Sequence, residues 1–216
     1  MTVTWPDDAA ALRLEVERLL SGQRPLPIVQ AGHPALRAHA RPYRGELDGE
    51  LLVALVAAMR EAMYAAPGVG LAAPQVGLSL AIAVVEDAWP VPGAVAQARE
   101  RTEVPFRVLV NPRYVPVSDT RVAFYEGCLS VHGYQAVTPR WRSVRLTGTD
   151  ETGAAVDEVL HGWPARIVQH ETDHLAGRLY LDVAEMRSLV APAEALRWSG
   201  DLTPERAAQE LGFTLP

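Results

Sequence analysis

The chain has 216 residues, a net charge of −6 and 49% apolar residues, which suits one globular domain with room for terminal additions. The acidic balance argues against a nucleic-acid partner, and no apolar run is long enough to span a bilayer. All 20 basic residues are Arg, which excludes Schiff-base chemistry on lysine and a P-loop lysine, and the single cysteine, Cys128, admits no internal disulfide.

Residues 7–20 read as a helix, with Asp7 or Asp8 as cap and Leu12, Val16, Leu19 and Leu20 at helical spacing. A second helix is expected over 48–65, where Leu51, Leu52, Leu55, Val56, Met59 and Met63 form the stripe and Pro67-Gly68 stops it. Strand-like runs follow at 80–85, 106–110, 113–117, 121–125, 134–137, 143–149 and 155–160, with 87–105 expected as a long surface loop. A helix over about 165–176 comes next, with Pro164 in its first turn and Gly177 at its end. A short helix near 204–211 takes Thr203 as N-cap, Pro204 as first residue and Gly212 past its end. Short strands and few helices in a non-alternating order imply an α+β fold. Residues 1–8 contain neither a basic region nor an apolar core of a leader, so the expected setting is the reducing cytoplasm.

The chemistry concentrates in three places. Gln169-His-Glu-Thr-Asp-His174 contains His-Glu-x-x-His. On a helix, residues four apart share one face, so the imidazoles of His170 and His174 can reach one ion. Glu171 then stands near the ion's open position as a proton carrier. A zincin-type endopeptidase would need a third ligand downstream, but no His follows His174 and the only later glutamates are Glu185, Glu194, Glu205 and Glu210. Upstream, Cys128 lies in Tyr125-Glu-Gly-Cys-Leu-Ser130. It is open to three readings: a buried small hydrophobe, a thiolate nucleophile, or the third metal ligand, and only the last uses all three residues together. Gly68-Val-Gly-Leu-Ala-Ala-Pro-Gln75 formally matches a dinucleotide fingerprint. A helix precedes it and a strand follows, the reverse of what that motif requires, so its glycines point to backbone that bends or approaches a ligand closely. Gln75 offers an amide N–H to an oxyanion.

These three segments, in this order, resemble the signature motifs of the peptide deformylase family over roughly residues 26–182. The resemblance implies short antiparallel or mixed sheets packed around a central helix that carries His-Glu-x-x-His. It implies a catalytic domain over 25–183, an N-terminal helical extension over 1–24, and a C-terminal tail over 184–216 with a short helix. The activity implied is removal of the formyl group from the initiator methionine of nascent polypeptides, with release of formate. Cys128, His170 and His174 would hold a divalent metal, Fe2+ foremost, with Zn2+, Ni2+ or Co2+ as alternatives. Glu171 would be the general base and acid, and Gln75 with the backbone N–H of Leu129 would hold the oxyanion. The extended substrate would lie beside Gly68, Val69, Gly70 and Gly127, its methionine in a pocket of Val69, Phe124, Trp163, Ile167 and the ring of His170. Glu126 and Asp173, with Arg140 nearby, are expected to orient ligands from behind. The expected partners are formyl-Met nascent peptides near the ribosome exit, met by a monomer, with neither nucleic acid nor membrane bound. The family commonly has Pro where this chain has His132, which is read as a solvated loop residue. A zincin-type endopeptidase and a non-catalytic metal module stand as the competing readings.

Overall fold

The computed structural model describes residues 9–199 and 201–216. Helix α1 (Ala9–Leu20) packs by Leu12 and Val16, both fully buried, into the same apolar cluster as α2 (Gly49–Ala65). The caps expected at Asp7 or Asp8 lie outside the described residues. Asp48 caps α2, its carboxylate accepting the Leu51 N–H at 2.9 Å.

Strands β1 (Gly70–Ala72), β2 (Ile82–Asp87), β3 (Val104–Pro116), β6 (Ser143–Thr149) and β7 (Ala155–His161) form one sheet in the order β1-β2-β3-β6-β7. Every pairing in it is antiparallel. Strands β4 (Arg121–Cys128) and β5 (Val131–Trp141) form a separate antiparallel hairpin. The apolar run Ile82-Ala-Val-Val85 has no polar alternation because β2 is covered on both sides. Ile82 and Val84 join the cluster of α1 and α2, while Ala83 and Val85 join the cluster of α4 (Gly162–Leu175).

The two runs read separately at 106–110 and 113–117 are one strand with a bulge. At the bulge Asn111 takes φ +50, and its side chain exchanges hydrogen bonds with the backbone N–H and C=O of Tyr43. Two other expectations are corrected, and one strand is added. The stretch 87–105 holds a short helix, α3 (Gly93–Ala98), rather than loop throughout. The glycine-rich segment supplies β1, too short to leave a periodic signal. In the tail, α5 (Ala195–Ser199) precedes α6 (Glu205–Leu211), and Pro204 rather than Thr203 occupies the N-cap of α6, with Gly212 ending it at φ +71.

The tail also closes an edge. Glu185 N donates to Val137 O at 2.8 Å, Ser188 Oγ accepts from Val137 N at 2.7 Å, and Val190 and Gln135 exchange backbone hydrogen bonds at 2.8 and 3.2 Å. Residues 185–190 therefore run along the outer side of β5, leaving the ladder groups of β4 as the uncovered edge of the hairpin.

Candidate metal centre and active site

His170, Glu171 and His174 lie on α4, a helix whose apolar side (Ala165, Ile167, Val168, Leu175) is fixed against the sheet. That packing aims its polar side at the β4–β5 hairpin. Cys128, the last residue of β4, brings its Sγ to 3.2 Å from His174 Nε2, and His170 Nε2 lies 3.2 Å from the same nitrogen. The three ligand atoms all sit within 4.8 Å of one another.

This set fits a tetrahedrally bound divalent metal. Metal–nitrogen and metal–sulfur bonds of usual length would separate two nitrogens by about 3.3 Å, and a nitrogen from a sulfur by about 3.6 Å. Two imidazoles and one thiolate leave a fourth position for a small molecule, as in catalytic rather than structural sites.

Behind the ligands the charges are paired. Glu126 Oε1 accepts from His170 Nδ1 at 2.6 Å and from Arg140 at 2.7 Å, while Oε2 accepts from Arg166 at 2.8 Å. Arg140 also binds Asp173, which accepts from Tyr114 Oη at 3.0 Å and from Arg178 at 2.5 Å. Burial opposes the charge on Glu126, yet Arg140, the hydrogen bond from His170 and Arg166 outweigh it and hold its carboxyl well below the usual range. The hydrogen bond from His170 Nδ1 directs Nε2 toward Cys128 and His174.

In front the arrangement is the opposite. Glu171 is buried, its Oε2 has no hydrogen-bond partner among the described residues, and burial pushes its carboxyl up to about 7. Its side chain occupies the place a Cβ on Gly70 would take, 2.2 Å from Oε1. Gly70 is therefore glycine because the carboxylate lies directly against its backbone. Gln75 is held by its Oε1, which accepts from Ala72 N at 2.8 Å. Its Nε2 consequently faces Cys128 Sγ at 3.7 Å and Ser130 Oγ at 3.3 Å. Leu129 lies between Cys128 and Ser130, and its carbonyl is tied by Gln30 Nε2 at 3.1 Å.

One cleft of about 600 Å³ is lined by Gly68, Val69, Gly70, Gln75, Phe124, Gly127, Cys128, Leu129, Trp163, Ile167, His170 and Glu171. His174 alone among the expected site residues lies behind it, buried under His170. Phe124 meets Trp163 edge-on at 6.3 Å between ring centroids. His132 is exposed at the rim, its N–H bonded to Gln30 Oε1 at 3.2 Å.

Comparison with known proteins decides the family. The polypeptide deformylase family model matches residues 25–189. The chain belongs to the peptide deformylase family. Peptide deformylase 3 of Streptomyces avermitilis is 60% identical over 99% of this chain and 96% of its own length. A Met-Ala-Ser-bound crystal structure of the class I type b peptide deformylase from Acinetobacter baumannii is 34% identical with a TM-score of 0.66. It covers 73% of this chain and 97% of its own. The Synechococcus elongatus peptide deformylase in complex with actinonin gives 30% identity and a TM-score of 0.64 over 90% of this chain and 91% of its own.

Several residues of the site carry no assignment from the sequence alone. Arg166, four residues before His170, donates to Glu126, to Thr138 O and to Val122 O. An Arg on the buried side of an otherwise apolar stretch was a readable signal for such a partner. Ser130 donates its N–H toward Cys128 Sγ at 3.4 Å, and Tyr180 stacks on His170 at 6.4 Å. Arg99 lies 4.9 Å over Trp163, from a segment whose composition indicates only loop. The deformylase match ends one residue before Val190, yet Val190, Trp198 and Leu202 line the same cleft.

Proposed function

We propose that Glu171, Gln75 and Leu129 carry the chemistry of this enzyme around a metal held by Cys128, His170 and His174. As a peptide deformylase, the protein removes the N-formyl group from nascent formyl-Met peptides in a metal-dependent hydrolysis. The observation that carries the residue assignment is the convergence of one thiol, two imidazoles, an unpaired carboxyl and a fixed amide donor in one cleft.

A divalent metal held by Cys128, His170 and His174 would supply Lewis acidity toward the formyl oxygen and the attacking water. Glu171 accepts the proton of the attacking water and returns it to the departing amine nitrogen. Its raised proton affinity suits both transfers near neutral pH. Gln75 Nε2 and the Leu129 N–H donate to the oxygen that gains negative charge, and the Ala72 N–H keeps the Gln75 amide from turning over. Addition of water and cleavage of the C–N bond leave formate and a free amino terminus. Glu126 positions His170, and Arg140 ties Glu126 to Asp173, so that α4 and the hairpin hold the ligands in one geometry.

We assign α4 as the central metal-binding helix of the domain, supported by its burial and its packing against the sheet. Residues 25–183 form the catalytic body, with 1–24 and 184–216 as additions. The methionine side chain enters between Val69, Phe124, Trp163 and Ile167, while Gly68 to Gly70 and Gly127 flank an extended peptide backbone. Fe2+ is the metal proposed, since thiolate and imidazole suit it as well as zinc. Among the described residues no helix is long and apolar enough to cross a membrane. The protein is proposed to act as a cytoplasmic monomer near the ribosome exit.

The test is an anaerobic formate-release assay on formyl-Met-Ala-Ser, joined to metal analysis of the wild type and Cys128→Ala. We expect one equivalent of metal and formate release in the wild type, and loss of both in the variant. A Cys128→Ala protein that keeps its metal would overturn the ligand assignment.

A further inference from the structure

We propose that the C-terminal tail builds a side-chain pocket for the second residue of the formylated peptide. This rests on the deformylase reading of the cleft. The pocket is walled by Tyr125, Val190, Trp198 and Leu202, three of them beyond the end of the family match.

The argument starts from strand alternation. Along β4, Phe124 and Glu126 point to α4: Phe124 stands against Trp163, and Glu126 binds His170. Tyr125 and Gly127 therefore face the opposite side of the hairpin. There Tyr125 packs into the small cluster of Val190, Trp198 and Ala207. Segment 185–190 already occupies the outer edge of β5, and Arg166 takes Val122 O on β4. The ladder groups left for an incoming strand are those of β4 from Phe124 onward, along the cleft wall. A peptide lying there alternates as β4 does. With its first side chain on the Phe124 side, in the methionine pocket, its second points to the Tyr125 side, where the tail stands.

Most of that wall is apolar; its polar members are Thr203, Asp201 and the Tyr125 hydroxyl, which is buried without a hydrogen-bond partner among the described residues. Trp198 is buried and held from behind by the Arg206 guanidinium 4.6 Å over its ring, and Arg206 pairs with Asp201 at 2.9 Å, so the nearest charges are engaged with each other. Leu202 is 43% exposed, leaving it free to be covered by a ligand. Gly133 approaches the tail so closely that a Cβ there would lie 2.5 Å from Pro192, which fixes the tail against the hairpin. The site thus favours a medium-sized apolar side chain at the second residue and gains nothing from glycine.

The experiment compares kcat/KM for formyl-Met-Leu-Ser and formyl-Met-Gly-Ser in the metal-loaded wild type, Trp198→Ala and Leu202→Ala. The wild type should favour Leu over Gly by roughly tenfold, the order of one buried apolar side chain. Each variant should lose most of that preference through KM on the Leu peptide, with the Gly peptide unchanged. Trp198→Ala removes a buried ring, so Leu202→Ala, at a half-exposed position, provides the comparison that folding loss cannot mimic. A Leu/Gly ratio equal in all three proteins overturns the proposal, as does a parallel fall on both peptides in both variants. A wild type that releases formate from neither peptide removes the deformylase reading itself, and the pocket with it.

Discussion

Glu126 binds the Nδ1 of His170 while Glu171 lies against Gly70 in the same cleft, and the protein treats the two carboxylates in opposite ways. Behind the ligands Glu126 is surrounded by Arg140, Arg166 and His170 Nδ1, and its charge is fixed. At the cleft Glu171 is buried, among the described residues it has no cation in contact and one oxygen without a partner, and burial raises its pKa to about 7. Both groups are carboxylates within 6% exposure of full burial. What separates them is the supply of donors: three stabilise the charged form of Glu126, whereas the unpartnered, buried oxygen of Glu171 favours its neutral form.

The sharpest break of this contrast is Glu171→Gln. The amide keeps the volume and loses the proton-accepting group, so kcat on formyl-Met-Ala-Ser should fall by about 10³-fold, within the usual range for a general base. Metal content and Tm should stay as in the wild type, because nothing depends on the charge of Glu171 for its pairing. A metal-loaded variant retaining more than a tenth of wild-type kcat would remove Glu171 from the mechanism. Next comes Gly70→Ala. The new Cβ would overlap Glu171 Oε1, so the carboxyl must move by an ångström or more while the ligands stay in place. We expect a kcat loss of roughly 10²-fold with normal metal content. Unchanged kcat would mean that Glu171 has a second productive position.

On the other side the effects should appear in the metal and in stability. Glu126→Gln leaves two buried guanidinium groups short of their shared anion and weakens the hydrogen bond that orients His170. Metal affinity should drop by about 10- to 100-fold, and unfolding free energy by roughly 3 kcal/mol. Competition with a chelator and denaturant titration measure the two. If Glu126→Gln instead lowers kcat alone, with metal and stability intact, the division of labour between the two carboxylates is wrong.

The front of this site was far more legible in the sequence than the back. His170, Glu171 and His174 declare themselves by spacing on one helix, and Cys128 and Gln75 stand in short motifs whose composition is chemical rather than structural. Glu126, Asp173 and Arg140 could be guessed as a group, but their pairing depends on the register of β4 with β5, where Val122 faces Arg140 and Glu126 faces Ala136. Arg166 and Tyr114 join from elements distant in sequence, α4 and β3. The fold class followed from the order of strands and helices. Strand β1 did not, since three residues give no period, nor did α3, whose Pro- and Ala-rich surroundings read as loop. The tail gave the least warning: its apolar residues are sparse, and only its path along β5 turns them toward the cleft.

The smallest effect belongs to Tyr114→Phe. Its hydroxyl donates to Asp173 at 3.0 Å, but Asp173 also holds Arg140 and Arg178, so removing one of three donors leaves the carboxylate paired. The deletion takes the donor away entirely rather than stranding it, and the ring keeps its place against the sheet. A loss of about 1 kcal/mol in unfolding free energy is expected, with kcat and metal content within a factor of two of the wild type. The comparison between the two sides rests on redundancy behind the ligands, and this variant measures it directly. If the loss of this one hydroxyl lowers metal affinity as much as Glu126→Gln does, Asp173 and Glu126 act as a single unit through Arg140 rather than as separate supports.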